Sequence, residues 1–276
     1  MSRGDGPDGR GRVIVLTFDN LGEASALQRG TWSSHTPLGE DPSVTTALPR
    51  LLTALDDSCL RATFFVEAVN SVLNPQALST IVDRGHELGA HGWQHEDWSE
   101  LSAAPRHERE LLDRATRALA DSGHPVSGFR PPGGAFTPQT MGLLRELGYG
   151  WCSPAARHPS GAPPFVEDFL TVVPFAWDLV DAYHLMERFA DLRVRHGAGA
   201  EPLGAGAAGE RLAATLLSGE GVQTMVLHPF LMLDAAWWEQ VQELLDLLAQ
   251  LQRSGEARVV AGGDLVGRLG PEPWPE

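Results

Sequence analysis

Short apolar runs that end on polar residues alternate along this chain with stretches whose apolar residues recur at helical spacing. Residues 13–18 are apolar apart from Thr17 and stop at Asp19. A short apolar run of this kind predicts a strand buried on both faces, as in a parallel sheet. Residues 62–66, 87–90, 126–129, 170–174, 224–227 and 257–260 are read as further strands. Between them, Val44, Leu48, Leu51, Leu52 and Leu55 fall on one helical face. Helices are also predicted over 75–84, 106–122, 137–147, 210–217, 234–252 and 264–269, with Thr137 as N-cap and Pro138 in the first turn of the third. Residues 22–43 are polar and long for a strand-to-helix loop, which predicts a lid or substrate loop. The Gly/Ala-rich segment 198–209 reads as surface loop.

Strand–helix alternation without an internal repeat or a dividing linker predicts a parallel α/β architecture in one domain. The expected organisation is a disordered tail over residues 1–12 and a barrel domain over residues 13–270. Composition narrows the function. A net charge of −15 and the lack of a basic stripe exclude nucleic acid and an anionic membrane surface as partners. All 21 basic residues are Arg, which excludes a Schiff-base lysine. The tail has no apolar signal core and no apolar run is long enough to span a bilayer, so a cytoplasmic protein is expected. Cys59 and Cys152 form no metal or disulfide pattern and read as buried thiols.

Four predicted strand ends deliver polar groups: Asp19, His91 with His95, Arg130, and His228. In a barrel, that end of the strands is where active sites are built. In His91-Gly92-Trp93-Gln94-His95 two imidazoles at i and i+4 would share a helical face and could ligate one divalent metal. With ten His in the chain such a pair also arises by chance, and two partly exposed His after a strand is the alternative.

Several segments resemble the motifs of the polysaccharide-deacetylase (carbohydrate esterase 4, NodB-homology) family, in the family's order: Leu16-Thr17-Phe18-Asp19-Asn20, Ala62-Thr63-Phe64-Phe65-Val66, Gly85-His86-Glu87 through His91 and His95, Phe129-Arg130-Pro131-Pro132-Gly133-Gly134, Trp177-Asp178, and Val226-Leu227-His228-Pro229. The resemblance covers about residues 13–230 and implies a distorted (β/α)7-type barrel that hydrolyses a C–N amide bond. It implies that Asp19 is the general base, that His91 and His95 hold a metal, and that His228 protonates the leaving amine. Arg130 would pair with Asp19, and Asp178 or Asp181 would orient Arg130 or His228. A backbone N–H in the turn Pro132 to Gly134 would bind the oxyanion. At least one of Trp93, Trp98 and Trp177 is expected to wall the acyl pocket.

The family's second Asp, a metal ligand, is Asn20 here, and its motif-three aromatic residue is Gly133. A neutral carboxamide binds a divalent cation more weakly than a carboxylate. Four arrangements follow: Asn20 ligates a weakened site, Asp19 ligates instead, Glu23 takes over as ligand or base, or no metal binds. The expected cofactor is zinc, with cobalt, nickel or manganese as alternatives. The expected partner is a small-molecule substrate with an acylated amine, and a homo-oligomer is compatible with the sequence. Three functions compete. The first is N-deacylation (deacetylation or deformylation) of a small sugar conjugate or secondary metabolite. The second is metal-independent or ring-opening amide hydrolysis of the allantoinase kind. The third is a non-catalytic ligand-binding member of the fold. Glu40, Asp41, Glu108 and Glu110 read as solvated charges, His158, His184 and His196 as structural or surface groups, and Trp237-Trp238 as packing for the barrel wall.

Overall fold

The first apolar run becomes the central strand β1 (Arg12–Asp19) in a computed structural model that describes residues 11–158 and 161–269. Of the tail expected over residues 1–12, residues 1–10 lie outside the described residues, as does residue 270, and the strand already includes Arg12. The strands that follow are β2 (Thr63–Val66), β3 (Glu87–Ala90), β4 (Gly128–Phe129), β5 (Trp151–Cys152), β6 (Phe165–Glu167), β7 (Leu170–Val172), β8 (Val222–Leu227) and β9 (Ala257–Val260). They form one sheet in the order β6-β7-β5-β4-β3-β2-β1-β8, with β9 beside the first half of β1. Every pairing is parallel except β6 with β7. An isolated parallel bridge between Val180 and Val226 joins the segment after β7 to β8. The sheet therefore curls into a distorted barrel whose last gap is spanned by a loop contact. Because these strands run the same way, Asp19, His91, Arg130 and His228 arrive at one rim.

Helices cover the sheet through the apolar faces the spacing predicts. Leu48–Asp57 buries Leu48, Leu51, Leu52 and Leu55, and Pro105–Asp121 buries Leu111, Leu112, Ala115 and Leu119. Ala235–Ser254 buries Trp237, Val241, Leu244, Leu245 and Leu248 and starts at Asp234, whose carboxylate accepts from the Trp237 N–H at 2.9 Å. Trp238 carries the Arg50 guanidinium over its ring at 4.5 Å.

Four expectations are corrected. Glu108 is fully buried, not solvated: it accepts from the side chains of Thr137, Gln139 and Thr140. The Thr137 hydroxyl donates to Glu108 at 2.7 Å and accepts from the Gln139 N–H at 3.3 Å in a turn before the helix, which runs Thr140–Glu146 and not from residue 137. The segment read as loop to residue 209 is helical from the start of Ala205–Ser218. Cys59 is exposed, in a left-handed turn at φ 53°, whereas Cys152 is buried in β5. No helix among the described residues is long and apolar enough to cross a membrane.

Candidate active site

The end of β1 fixes the first group. Arg130, just after β4, is 1% exposed, and its Nη1 donates to Asp19 Oδ1 at 2.7 Å and to Thr17 Oγ1 at 2.8 Å. Its Nη2 donates to Ser153 Oγ at 2.8 Å, and the guanidinium lies 4.2 Å from the centre of the Phe65 ring. Burial pulls the Arg130 pKa down and Asp19 pulls it back. The ion pair expected from the resemblance is present, and Asp19 Oδ2 takes no hydrogen bond among the described residues.

The end of β8 fixes the second. Asp181 holds His228 twice: Oδ1 lies 2.5 Å from Nδ1 and Oδ2 accepts from the His228 N–H at 2.8 Å. A carboxylate can only accept, so Nδ1 carries the proton, and Nε2 is the atom left for chemistry. Between the two aspartates the sequence left open, the structure puts Asp181, not Asp178, against His228. Asp178 lines a separate cavity, and its carbonyl accepts from His184 Nε2 at 3.0 Å. Asp178 lies after β7 in a 3-10 turn (Trp177–Leu179) that turns it away from the rim, while Asp181 begins the following helix.

The third group gathers after β3 without the helix expected to bring it together. Residues 92–94 form a turn and residues 95–97 continue without regular structure. Gly92 at φ 74° and His95 at φ 71° are left-handed, and those two reversals set the His91 and His95 rings 5.1 Å apart. Gly92 is required twice over, because a Cβ there would also meet Glu96 Oε2 at 2.7 Å. Glu96 clamps the turn by accepting from the Trp93 and Gln94 N–H groups at 3.0 and 2.9 Å. His91 Nδ1 donates to the Arg130 carbonyl at 2.8 Å, which leaves Nε2 with a free lone pair. Burial, with Arg130 and His228 nearby, holds His91 neutral with a pKa of about 3, and burial likewise depresses His95.

Glu67, the residue after β2, completes this group and was missed in the sequence. One ligand atom each from Glu67, His91 and His95 lie within 4.8 Å of one another. Glu67 Oε2 accepts from the Leu21 N–H at 3.1 Å, while Oε1 is buried with no partner among the described residues. Burial first, and then Asp19 and Glu96, raise its pKa to about 8 against the pull of backbone N–H groups. The Asn20 carboxamide oxygen is also buried and unpartnered, on a residue at φ 61°. Two neutral imidazoles, the bare oxygen of Glu67 and the unpartnered carboxamide oxygen of Asn20 form a donor set that fits a divalent cation. The only sequence signal was position: Glu67 directly follows the apolar strand 62–66, as Asp19 follows 13–18.

Each of the three groups reaches one cavity of about 420 Å³, with Glu67 and Asp181 set behind the residues that line it. Asp19, Asn20, His91, His95, Arg130, Pro132, Gly133, Trp177 and His228 all line it, joined by Phe175, Val180 and Phe189. Gly134 donates its N–H to the Pro131 carbonyl, whereas the Gly133 N–H makes no hydrogen bond among the described residues. Two expected residues lie elsewhere. Trp93 packs beneath Arg114, 3.6 Å from its ring centre, and is not part of the lining. Glu23 is fully buried and binds the Gly39 N–H and Asn74 Nδ2, so it fastens the 22–43 loop and is committed away from the cavity. That loop does reach the cavity, through Gln28 and Arg29.

Comparison with known proteins follows the same lines. A family model described as polysaccharide deacetylase matches residues 6–151. A peptidoglycan-N-acetylglucosamine deacetylase of Bacillus cereus is 30% identical over 138 residues, 50% of this chain and 54% of that protein. The chain spans less than half the length of several other curated relatives that it matches. Among solved structures, a polysaccharide deacetylase from Mycobacterium smegmatis superposes with a TM-score of 0.76 at 24% identity, covering 97% of this chain and 93% of that one. An allantoinase superposes with a TM-score of 0.69 at 16% identity, covering 98% and 94%.

Proposed function

The chain belongs to the polysaccharide deacetylase family, and on that premise we propose that it hydrolyses the C–N amide bond of an acylated amine. The observation that carries the proposal is the convergence of three built units on one cavity: Arg130 with Asp19, Asp181 with His228, and Glu67 with His91 and His95. Glu67, His91 and His95 would hold a divalent ion, with Asn20 beside them, and Glu67 brings the carboxylate that Asn20 lacks. Zinc is the first choice for this donor set, and cobalt, nickel or manganese the alternatives. Such an ion supplies Lewis acidity toward the acyl carbonyl and lowers the pKa of water.

The remaining work falls to the chain. Asp19 accepts the proton of the attacking water through its free Oδ2, while Arg130 fixes Oδ1. The Gly133 N–H points a dipole at the developing oxyanion without reorganising. Phe175, Trp177 and Val180 exclude water around the acyl group. His228, oriented by Asp181, delivers a proton from Nε2 to the departing nitrogen, because an amine leaves poorly as an anion. A cavity of about 420 Å³ has room for a small substrate such as a sugar conjugate or secondary metabolite, and a cytoplasmic setting suits such a substrate.

Metal titration of the apoprotein tests this reading. Wild type is expected to bind zinc and to lose hydrolysis of N-acetyl and N-formyl compounds on chelation. Glu67→Gln is expected to weaken zinc by more than the about 10–100-fold typical of outer-sphere partners. An unchanged affinity removes Glu67 from the set. Turnover that survives full chelation transfers the chemistry to a metal-independent amide hydrolase, part of the second reading, which the neutral side chain of Asn20 favours.

A further inference from the structure

Two guanidinium groups reach the mouth of the cavity from separate segments. Arg29 directly follows the helix Ala24–Gln28, and Arg188 sits in the 3-10 turn Glu187–Phe189. Six arginines, Arg61, Arg84, Arg109, Arg117, Arg130 and Arg145, each face a carboxylate, while others are spent on carbonyls, as Arg193 is, or lie over a ring, as Arg50 and Arg114 do. Arg29 and Arg188 have no such partner among the described residues, in a chain with 36 acidic residues to 21 basic ones. The acids that line the same cavity are already committed: Asp19 to Arg130, Glu96 to the Trp93 and Gln94 N–H groups, and Asp97 to the Ser99 N–H and hydroxyl. The two guanidiniums also oppose one another. The charge on Arg188 is disfavoured first by partial burial in the mouth and then by Arg29. Arg188 rests 4.9 Å from the centre of the Phe189 ring, which orients it without neutralising it.

Two guanidiniums that face one cavity without an ion-pair partner among the described residues make a site for an anionic oxygen group, which guanidinium forks match in geometry as well as charge. We propose that Arg29 and Arg188 form an anion-binding subsite, so that the substrate is an acylated amine that also carries a carboxylate or a phosphate. The acyl group lies between Asp19 and His228, and the anion lies at the mouth. This inference rests on the assignment of the amide to the Asp19–His228 end of the cavity.

Matched probe pairs test it by calorimetry on the zinc-loaded full chain: N-acetylglucosamine 6-phosphate against N-acetylglucosamine, and N-acetylglycine against N-acetylglycinamide. In at least one pair the anionic member is expected to bind wild type about tenfold or more tightly, the equivalent of one charge-assisted contact, with the gap narrowing as salt rises. Which pair shows the gap separates phosphate from carboxylate. In Arg29→Gln/Arg188→Gln the gap is expected to fall below about twofold. Both substitutions are on exposed positions, and circular dichroism checks the fold. Equal binding within both pairs, including no detectable binding of either member, overturns the subsite, as does a gap that survives the double substitution. Hydrolysis is scored separately. A binding gap without cleavage by zinc-loaded wild type leaves the subsite standing and removes the hydrolase reading. Cleavage of neutral and anionic members at equal kcat/KM does the reverse.

Discussion

Replacing Arg130 with Met probes the centre of the site without requiring a substrate. Met keeps most of the side-chain length against Phe65 and removes the charge and five donors. Three short contacts disappear together: Asp19 at 2.7 Å, and Thr17 and Ser153 at 2.8 Å each. Thr17 keeps its bond to the Met225 carbonyl, but Asp19 is left 6% exposed without its cationic partner. Breaking one side of a buried ion pair costs about 3–5 kcal/mol. Asp19 lines a cavity that admits water, so the low end, about 3 kcal/mol, is expected. Against a typical domain stability of about 5–15 kcal/mol that is a large fraction. With a urea slope of about 3 kcal/mol/M, the unfolding midpoint should fall by about 1 M. Adding Asp19→Asn to Arg130→Met removes the stranded charge and should recover about 1–2 kcal/mol, the coupling of residues in direct contact. Equilibrium urea unfolding followed by tryptophan fluorescence at neutral pH reads all three proteins. A midpoint shift for Arg130→Met under about 0.2 M, or a double variant no more stable than the single, would refute the claim that this pair is held together by burial.

Asn20→Asp adds a carboxylate to the cavity wall that Asn20 shares with His91 and His95 and is expected to tighten zinc binding in calorimetry; an unchanged affinity removes Asn20 from the cation site. His228→Ala is expected to lower kcat about 10²–10⁴-fold with little change in substrate affinity, and Asp181→Asn to follow in the same direction, whereas a His228→Ala protein at full kcat would end its assignment as acid. Thiol titration of native protein should modify Cys59 at once and Cys152 only after unfolding, because Cys152 is buried and burial pushes its thiol pKa up; two fast thiols would contradict the packing around β5. His86 is 4% exposed with both ring nitrogens unpartnered among the described residues, and burial lowers its pKa below 6.5. The unfolded chain therefore takes up its proton first, so this group lowers stability as pH falls below 6.5, by at most about 1.4 kcal/mol per pH unit. His86→Gln should flatten that part of the stability–pH curve between pH 7 and 5, and parallel curves would show that His86 is not the group responsible.

The linear chain was enough to determine the alternation of strands and helices and the polar residue at the end of each long strand. Apolar runs such as 13–18 and 62–66 can be satisfied only by burial on both faces, and the parallel direction of the strands then puts Asp19, His91, Arg130 and His228 on one rim. The strand read over 170–174 is present as β7, but β5 and β6 were not read, because two or three residues are too few to show a period and their pairing is decided by neighbours far along the chain. The choice of Asp181 over Asp178 was likewise made by tertiary packing, through the bridge of Val180 to Val226 that delivers Asp181 to His228. Glu23 and Glu67 show the same limit. Both are buried acids near the motifs, and sequence favoured Glu23 for its closeness to Asn20. The folded chain gives Glu23 two donors and so spends it on a loop, while it leaves one Glu67 oxygen bare beside two imidazoles. Residue type and spacing state which groups can do chemistry, but whether a buried carboxylate is already satisfied depends on donors that only the three-dimensional fold brings to it.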